Sequence, residues 1–317
     1  MKVLYITNMY PVEDYIYFGI HVKEQIDVLV KNNNVSAEIY FINGRGNKLN
    51  YLKSIYDIRV LLRENKFDLV HIHYGISGLF LLLLPLTIPV VITLHSGELY
   101  QKKSYLNHLA QKNLTLAVLK KVNKIIVLND EMINLLKDRS ADLIKVPCGT
   151  DLGLFMPKDR PLEQKFRIGF PGNKARKEKN FILFSSIIEL IANYVEVEIV
   201  EFHNLTRAEV INNMNSVDVL LMTSTIEGSP QIIKEAMSCN RPILSTNVGD
   251  VSDLLLGVKN CVVIDSFVPQ DFIEALKRIV DLPFYSRVSN GREKLQQMQL
   301  DSVSVGNRVY DVYEKLL

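Results

Sequence analysis

The feature that most limits what this chain can become is an alternation. Apolar runs of about four to six residues are separated by stretches with helical periodicity, and the series occurs twice. The first set of runs covers 3–7, 37–42, 69–74, 90–95, 124–128 and 144–147, with helical patterns at 22–32, 55–65, 77–84, 106–122 and 131–137. A polar, proline-bearing stretch at 157–165 reads as a linker. The series then restarts with runs at 167–170, 197–201, 218–222, 242–246 and 261–264, and helical patterns at 180–192, 207–214, 231–238 and 272–280. Short runs buried on both faces, each followed by a helix, are parallel βαβ units. The expectation is α/β: two doubly wound domains, 1–157 and 158–303, at an ordinary size of about 150 residues each. The last segment, 304–317, is amphipathic, with Val305, Val309, Val312 and Leu316 or Leu317 on one face.

Composition narrows the function classes. A hydrophobic share of 48% suffices for two cores, and a net charge of +2 gives no general attraction to polyanions. The basic half is the first: up to Phe155 there are about 18 Lys and Arg against about 14 Asp and Glu. No nucleic-acid motif or interleaved aromatic patch is present, so no nucleic-acid partner is expected. Cys148, Cys239 and Cys261 are widely spaced without a CxxC, which fits reduced thiols in a cytoplasmic protein and argues against a disulfide scaffold or zinc site. Cys148 reads as a small buried residue rather than a nucleophile. The chain runs from Met1-Lys2 into a strand, so no secretory leader is expected. The most apolar run, 78–91, is too short to span a bilayer and carries Pro85 and Pro89.

The stretch Thr223 to Leu254, TSTIEGSPQIIKEAMSCNRPILSTNVGDVSDL, says most about chemistry. It reads as strand end, turn, helix, strand and loop. Ile232, Ile233, Ala236 and Met237 share a helical face, and Glu235 follows Glu227 by eight residues. Glu227 falls where a strand ends, which is where open α/β sheets bind ligands. The helix start beside it offers N–H groups to anionic oxygens, and Glu235 is expected on the first turn of that helix. Two carboxylates and a ring of donors suit a hydroxyl-rich, phosphate-bearing ligand: a nucleotide sugar.

This string resembles the C-terminal signature of the family 4 retaining glycosyltransferases. The matching residues are Ser224, Glu227, Gly228, Pro230, Glu235, Ala236, Met237, Pro242, Ile243, Gly249, Asp250, Val251 and Asp253. Thr93-Leu94-His95-Ser96-Gly97 resembles the family's strand-end histidine beside the transferred sugar. Read alone, His95 is either a proton-handling donor or a strand-end side chain bonded to a carbonyl. The loop from Gly172 to Asn180 (GNKARKEKN) is glycine-led and basic, fit to receive phosphate. It is similar to the family's diphosphate-binding segment, with Lys179 in the lysine position. Asn173 stands where arginine is usual, the spacing to Lys179 is one longer, and Arg176 is the candidate replacement. The run from Val146 to Pro157 is similar to the family's hinge, with Cys148 and Thr150 departing from it. Tyr10-Pro11 and the start at Gly19 (GIHVKEQ) resemble the family's first loop, where Gly19 lets the backbone approach the sugar phosphate or acceptor.

The resemblance implies a GT-B enzyme: two Rossmann-like domains facing across a cleft, with the C-terminal helix crossing back to the N-terminal domain. It implies a nucleotide diphosphate sugar as donor, no cofactor and no metal. Glu227, Gly228, Ser229 and Pro230 would hold the sugar, Glu235 the ribose, Lys179 with Arg176 the diphosphate, and His95 the sugar from the other domain. His71 and His73 alternate along one strand and would share a face, a potential metal pair that lacks a third ligand. Lys102, Lys103, Lys112, Lys120, Lys121 and Lys124 lie among Leu and Ala; they read as a solvated helix face or as peripheral contact with anionic lipid at the inner face of the plasma membrane. The implied acceptor is a glycan or lipid-linked glycan, in surface polysaccharide assembly. Two rivals remain: a nucleotide-sugar epimerase of the same fold, and a non-catalytic nucleotide-sugar-binding subunit.

Overall fold

The computed structural model describes residues 1–13, 15–100, 105–138, 143–159 and 165–317, with the backbone alone for 105–108. Lys102, Lys103 and linker residues 160–164 lie outside the described residues. The chain forms two compact units: Met1–Cys148 with Ser302–Leu317, and Gly149–Asp301.

The first unit is built on β1 (Lys2–Thr7), α1 (Ile20–Asn32), β2 (Ser36–Phe41), α2 (Asn50–Glu64), β3 (Leu69–His73), β4 (Val90–Thr93), α3 (Gly97–Tyr100), α4 (Tyr105–Leu119), β5 (Lys124–Val127), α5 (Asp130–Leu136) and β6 (Leu143–Lys145). All its strands are parallel, in the order β2-β1-β3-β4-β5-β6. Strand side chains alternate between the two faces. Leu4, Ile6, Val70, Ile72 and Ile92 therefore join one core cluster, together with Ile58 of α2 and Val118 of α4. Tyr5, His71, His73 and Thr93 occupy the alternate positions on the other face.

The expected helix at 77–84 is instead a 3-10 segment, Gly75–Leu82. It lies flat against α4, because a Cβ on Gly75 would sit 2.2 Å from Thr115 Cγ2 and one on Gly78 2.5 Å from Val118 Cγ1. Two glycines that permit this approach also weaken an α-helix.

The second unit contains β7 (Phe166–Phe170), α6 (Phe181–Ile191), β8 (Val197–Glu201), α7 (Arg207–Ser216), β9 (Val219–Met222), α8 (Gln231–Ser238), β10 (Ile243–Thr246), α9 (Val251–Leu255), β11 (Cys261–Ile264), α10 (Gln270–Val280) and α11 (Gly291–Gln297). Its parallel sheet has the order β11-β10-β9-β7-β8. The order reverses beside β7, so the ends of β7 and β9 border a switch point of the kind where α/β sheets bind ligands. Segment 149–157 packs with this unit: Phe155 is fully buried, and its carbonyl accepts from Ser238 and Arg292.

The final helix, α12 (Ser302–Glu314), belongs to the first unit and packs on α1. Gly306 permits the close approach, since a Cβ there would lie 2.7 Å from Val28 Cγ1. Val305, Val309, Val312 and Tyr313 are buried. Helices α3, α9 and α11 have four to seven residues, too short for periodicity to announce them.

Candidate active site

In the first unit the candidate residues gather at the C-terminal ends of β1, β3 and β4. Parallel register sets Tyr5 beside His71, and Thr7 and Thr93 on either side of His73. His71 is fully buried, and both ring nitrogens are used: Nδ1 lies 2.5 Å from Tyr313 Oη, and Nε2 lies 2.8 Å from Thr93 Oγ1. Its place is structural, tying α12 to the sheet. Among the described residues no group of three His, Cys, Asp or Glu is placed to hold a metal ion.

His73 stacks on His71 at 4.3 Å, and its Nδ1 is 3.2 Å from His95 Nε2, while its own Nε2 is buried without a partner. His95 stacks on Tyr74 at 4.2 Å and meets His21 at 4.8 Å; His21 in turn bonds the Tyr74 hydroxyl at 2.9 Å. Burial holds the pKa of His73 and His95 well below the usual histidine value, and the neighbouring imidazoles add to the effect. The rings are therefore neutral, and each can present one donor and one acceptor.

Two turns aim these rings. Tyr74 (φ 68°) and Ser96 (φ 74°) adopt the left-handed conformation that non-glycine residues rarely take. Buried Glu98 fixes both turns by accepting from the N–H of His95 at 3.1 Å and of Gly75 at 3.4 Å. Burial raises its pKa, and these backbone bonds oppose the rise. Gly19 has φ 67°, and a Cβ there would lie 2.2 Å from Met9 O, so only glycine fits between the first loop and α1.

In the second unit the candidates gather at the ends of β7 and β9. Lys179 Nζ lies 2.7 Å from Glu227 Oε1, with both side chains mostly buried. Gly172 (φ 122°) makes room for this lysine: a Cβ there would meet Lys179 Cε at 3.0 Å. Hydrogen bonds lace the two loops together, with the Thr223 hydroxyl donating to Lys179 O and the Thr225 N–H to Glu178 O. Arg176 is exposed and reaches Glu178 only at 3.9 Å, outside the Lys179–Glu227 pair. The turn from Glu227 to Pro230 leads into α8, whose cap Pro230 makes no side-chain hydrogen bond to the first N–H groups. Gly249 packs directly on this turn, where a Cβ would come within 2.3 Å of Gly228 O.

Glu235 is the fifth residue of α8, on its second turn rather than its first. Its side chain is only 4% exposed and pairs with Arg207 of α7 at 2.8 Å, and that guanidinium also lies 4.7 Å over the Phe155 ring. The Ser229 hydroxyl is committed inside the protein. It donates to Asp250 Oδ2 at 2.5 Å and accepts from fully buried Lys234 at 2.7 Å. Burial raises the Asp250 pKa; the Lys234 charge and the Ser229 bond oppose it.

Sequence reasoning did not single out Tyr74, Glu98, Arg207, Lys234 or Asp250 for these parts. Glu98 had a signal, a carboxylate three residues after His95 just past the end of a buried strand. Arg207 had none, since it lies 28 residues before its partner.

Residues 17–154 match Glycosyltransferase Family 4, and residues 165–281 match Glycosyl transferases group 1. The chain belongs to the family 4 glycosyltransferases. A glycosyltransferase of Methanocaldococcus jannaschii is 22% identical, covering 84% of this chain and 81% of its own. Among solved structures, sucrose-phosphate synthase from Thermosynechococcus elongatus superposes with a TM-score of 0.82 at 14% identity, over 99% of this chain and 98% of the other. HepE of Anabaena, solved in complex with UDP, superposes with a TM-score of 0.70 at 12% identity over the whole of both chains. The family 4 fold is GT-B, and the α/β reading of two Rossmann-like domains stands.

Proposed function

We propose that this glycosyltransferase takes a nucleotide diphosphate sugar as donor and transfers a hexosyl or hexosaminyl group with retention, without a metal ion. The observation that carries the reading is the Lys179–Glu227 pair, set at the ends of β7 and β9 beside the uncapped start of α8. Lys179 is the cation for the departing diphosphate, where charge develops as the glycosidic bond breaks. Its present partner Glu227 then turns to the sugar hydroxyls. Gly172 and Arg176 line the diphosphate loop, and Gly228, Ser229 and Pro230 supply backbone to the sugar. Glu235, oriented by Arg207, accepts from the ribose. His95 acts on the transferred sugar, and Gly19 allows backbone approach to the sugar phosphate or acceptor. HepE, which binds UDP, supports a nucleotide donor for this chain.

The acceptor we assign is a glycan or lipid-linked glycan in surface polysaccharide assembly, at the cytoplasmic face of a membrane. Among the described residues no helix is long and apolar enough to cross one. We assign a peripheral contact through the basic 101–124 region, where Lys120 and Lys121 are exposed.

Thermal shift against UDP-, GDP- and dTDP-sugars tests the donor assignment. A ligand at a hundred times its dissociation constant stabilises by about 2.7 kcal/mol. No shift with any of them overturns the reading. Turnover should persist in excess chelator, and loss restored by Mg²⁺ or Mn²⁺ would overturn metal independence.

A further inference from the structure

One helix of the first unit is apolar on two sides. Its inward side is explained by folding: in α2, Ser54 and Ile58 are buried, and Tyr51, Ile55, Leu61 and Leu62 pack against the core. Its outward side is not. Leu49, at the helix start, is 64% exposed, Leu52 66% and Tyr56 70%. Spacings of three and four residues put these side chains in one stripe directly opposite the buried one. A helix face turned to water is ordinarily polar, so this stripe lacks a reason within the fold. The 3-10 segment Gly75–Leu82, which packs against α2, adds exposed Leu82, followed by Leu83 at 73% exposure.

The charges around the stripe say what covers it. Lys48, Lys53, Arg59 and Arg63 are all exposed. Continuing the same spacing, Arg59 and Arg63 extend the stripe beyond Tyr56. Among the described residues only Lys53 has a carboxylate in reach, Asp57 at 3.9 Å, and that carboxylate already accepts from the Tyr40 hydroxyl at 2.7 Å. Among the described residues Lys48, Arg59 and Arg63 have no ion pair. Leucines and a tyrosine ringed by unpaired cations complement a surface that is negative outside and apolar beneath. Leu side chains enter the acyl boundary, Tyr sits at headgroup level, and Lys and Arg reach phosphates from long stems. A second copy of the same face would set cations against cations, which complementary interfaces avoid. We infer that the outer face of α2, from Lys48 to Arg63, docks the protein on an anionic lipid bilayer. This goes beyond the proposed function: it does not depend on donor, acceptor or turnover, and it assigns the principal contact to α2 rather than to Lys120 and Lys121.

Co-sedimentation of the full chain with vesicles tests the inference, using one-third phosphatidylglycerol in phosphatidylcholine against phosphatidylcholine alone. The protein should pellet with the anionic vesicles at least ~10-fold more strongly than with neutral ones, and raised salt should weaken the binding. L49S/L52S/Y56S should lose about ten-fold or more. R59E/R63E should lose more than the roughly five-fold per cation expected for simple removal of the charge. Both variants should melt like the parent, since none of the altered side chains is buried. K120E/K121E should lose less than either α2 variant. The inference is overturned if the parent chain ignores anionic vesicles, if both α2 variants bind as it does, or if loss is confined to K120E/K121E. It is equally overturned if ultracentrifugation shows a dimer that L49S/L52S/Y56S dissolves while vesicle binding is unchanged.

Discussion

The candidate residues of the two units are made of opposite chemistry. In the first unit, four histidines and three tyrosines form a cluster of rings joined by hydrogen bonds, and burial keeps His71, His73 and His95 neutral. In the second, the candidate region carries charges: Lys179 with Glu227, Arg207 with Glu235, and Lys234 linked through Ser229 to Asp250. A buried neutral stack is fixed by packing and has no charge to reassign. An ion pair can be re-sorted when an anion arrives, because the cation regains from it what it loses and the displaced carboxylate can turn to hydroxyl donors. Under the proposed function the difference is a division of labour, with a pre-set group for the sugar in the first unit and an anion-responsive site for the donor in the second.

The sharpest way to break that contrast is Lys179→Ala. If the lysine carries the diphosphate, turnover should fall about 100-fold, roughly 2.7 kcal/mol, and nucleotide affinity should fall with it. A loss below ten-fold would make the pair with Glu227 merely structural. Glu235→Ala comes next and should weaken nucleotide diphosphate binding by about 1.5–3 kcal/mol, the range for a hydrogen bond to a charged group. Arg207→Ala should weaken it less, because that residue orients the carboxylate without touching ligand. Unchanged affinity in a titration of E235A would remove the ribose from Glu235 and leave only the ion pair.

On the neutral side, His95→Ala should cut turnover at least ten-fold, about 1.4 kcal/mol, while affinity for the free nucleotide diphosphate hardly moves. Equal losses in both would place His95 with the nucleotide, and no loss in either would make it a strand-end side chain. The smallest effect concerns acid. Burial lowers the His71 pKa to about 3 in the folded chain, against about 6.5 unfolded. As pH falls, the unfolded chain takes up the proton first. The stability linked to His71 is therefore complete above about pH 6.5 and is lost as pH falls toward 3. At pH 6 the loss should be about 1 kcal/mol, and thermal melts of His71→Phe should show a correspondingly flatter pH profile. Identical profiles would mean that His71 binds its proton as readily in the folded chain as in the unfolded one.

Legibility differed between the same two regions. Glu227 and Lys179 were readable because each stands in a string whose spacing is dictated by a strand end, a turn and a helix start. The pairing of Glu235 with Arg207 was not readable, because the partners come from different helices 28 residues apart and only the folded second unit brings them together. His71 and His73 were readable as sharing a face, since strand alternation fixes that. That one would be saturated by Tyr313 and Thr93, and the other set against His95, depended on β1, β3, β4 and α12 meeting.

By itself, then, the sequence determined what has a short period: parallel strands, most of the longer helices, the glycines that turns require, and the motif turn at Glu227. Local geometry enforces each of these within a few residues. The tertiary structure alone decided which polar groups are already occupied. It committed the Ser229 hydroxyl to Asp250 and Lys234, buried Glu235 against Arg207, flattened 75–82 onto α4, and left Leu49, Leu52 and Tyr56 facing outward. Those outcomes depend on contacts between residues far apart in the chain, and a hydrogen bond or a buried surface exists only once both partners have been brought together.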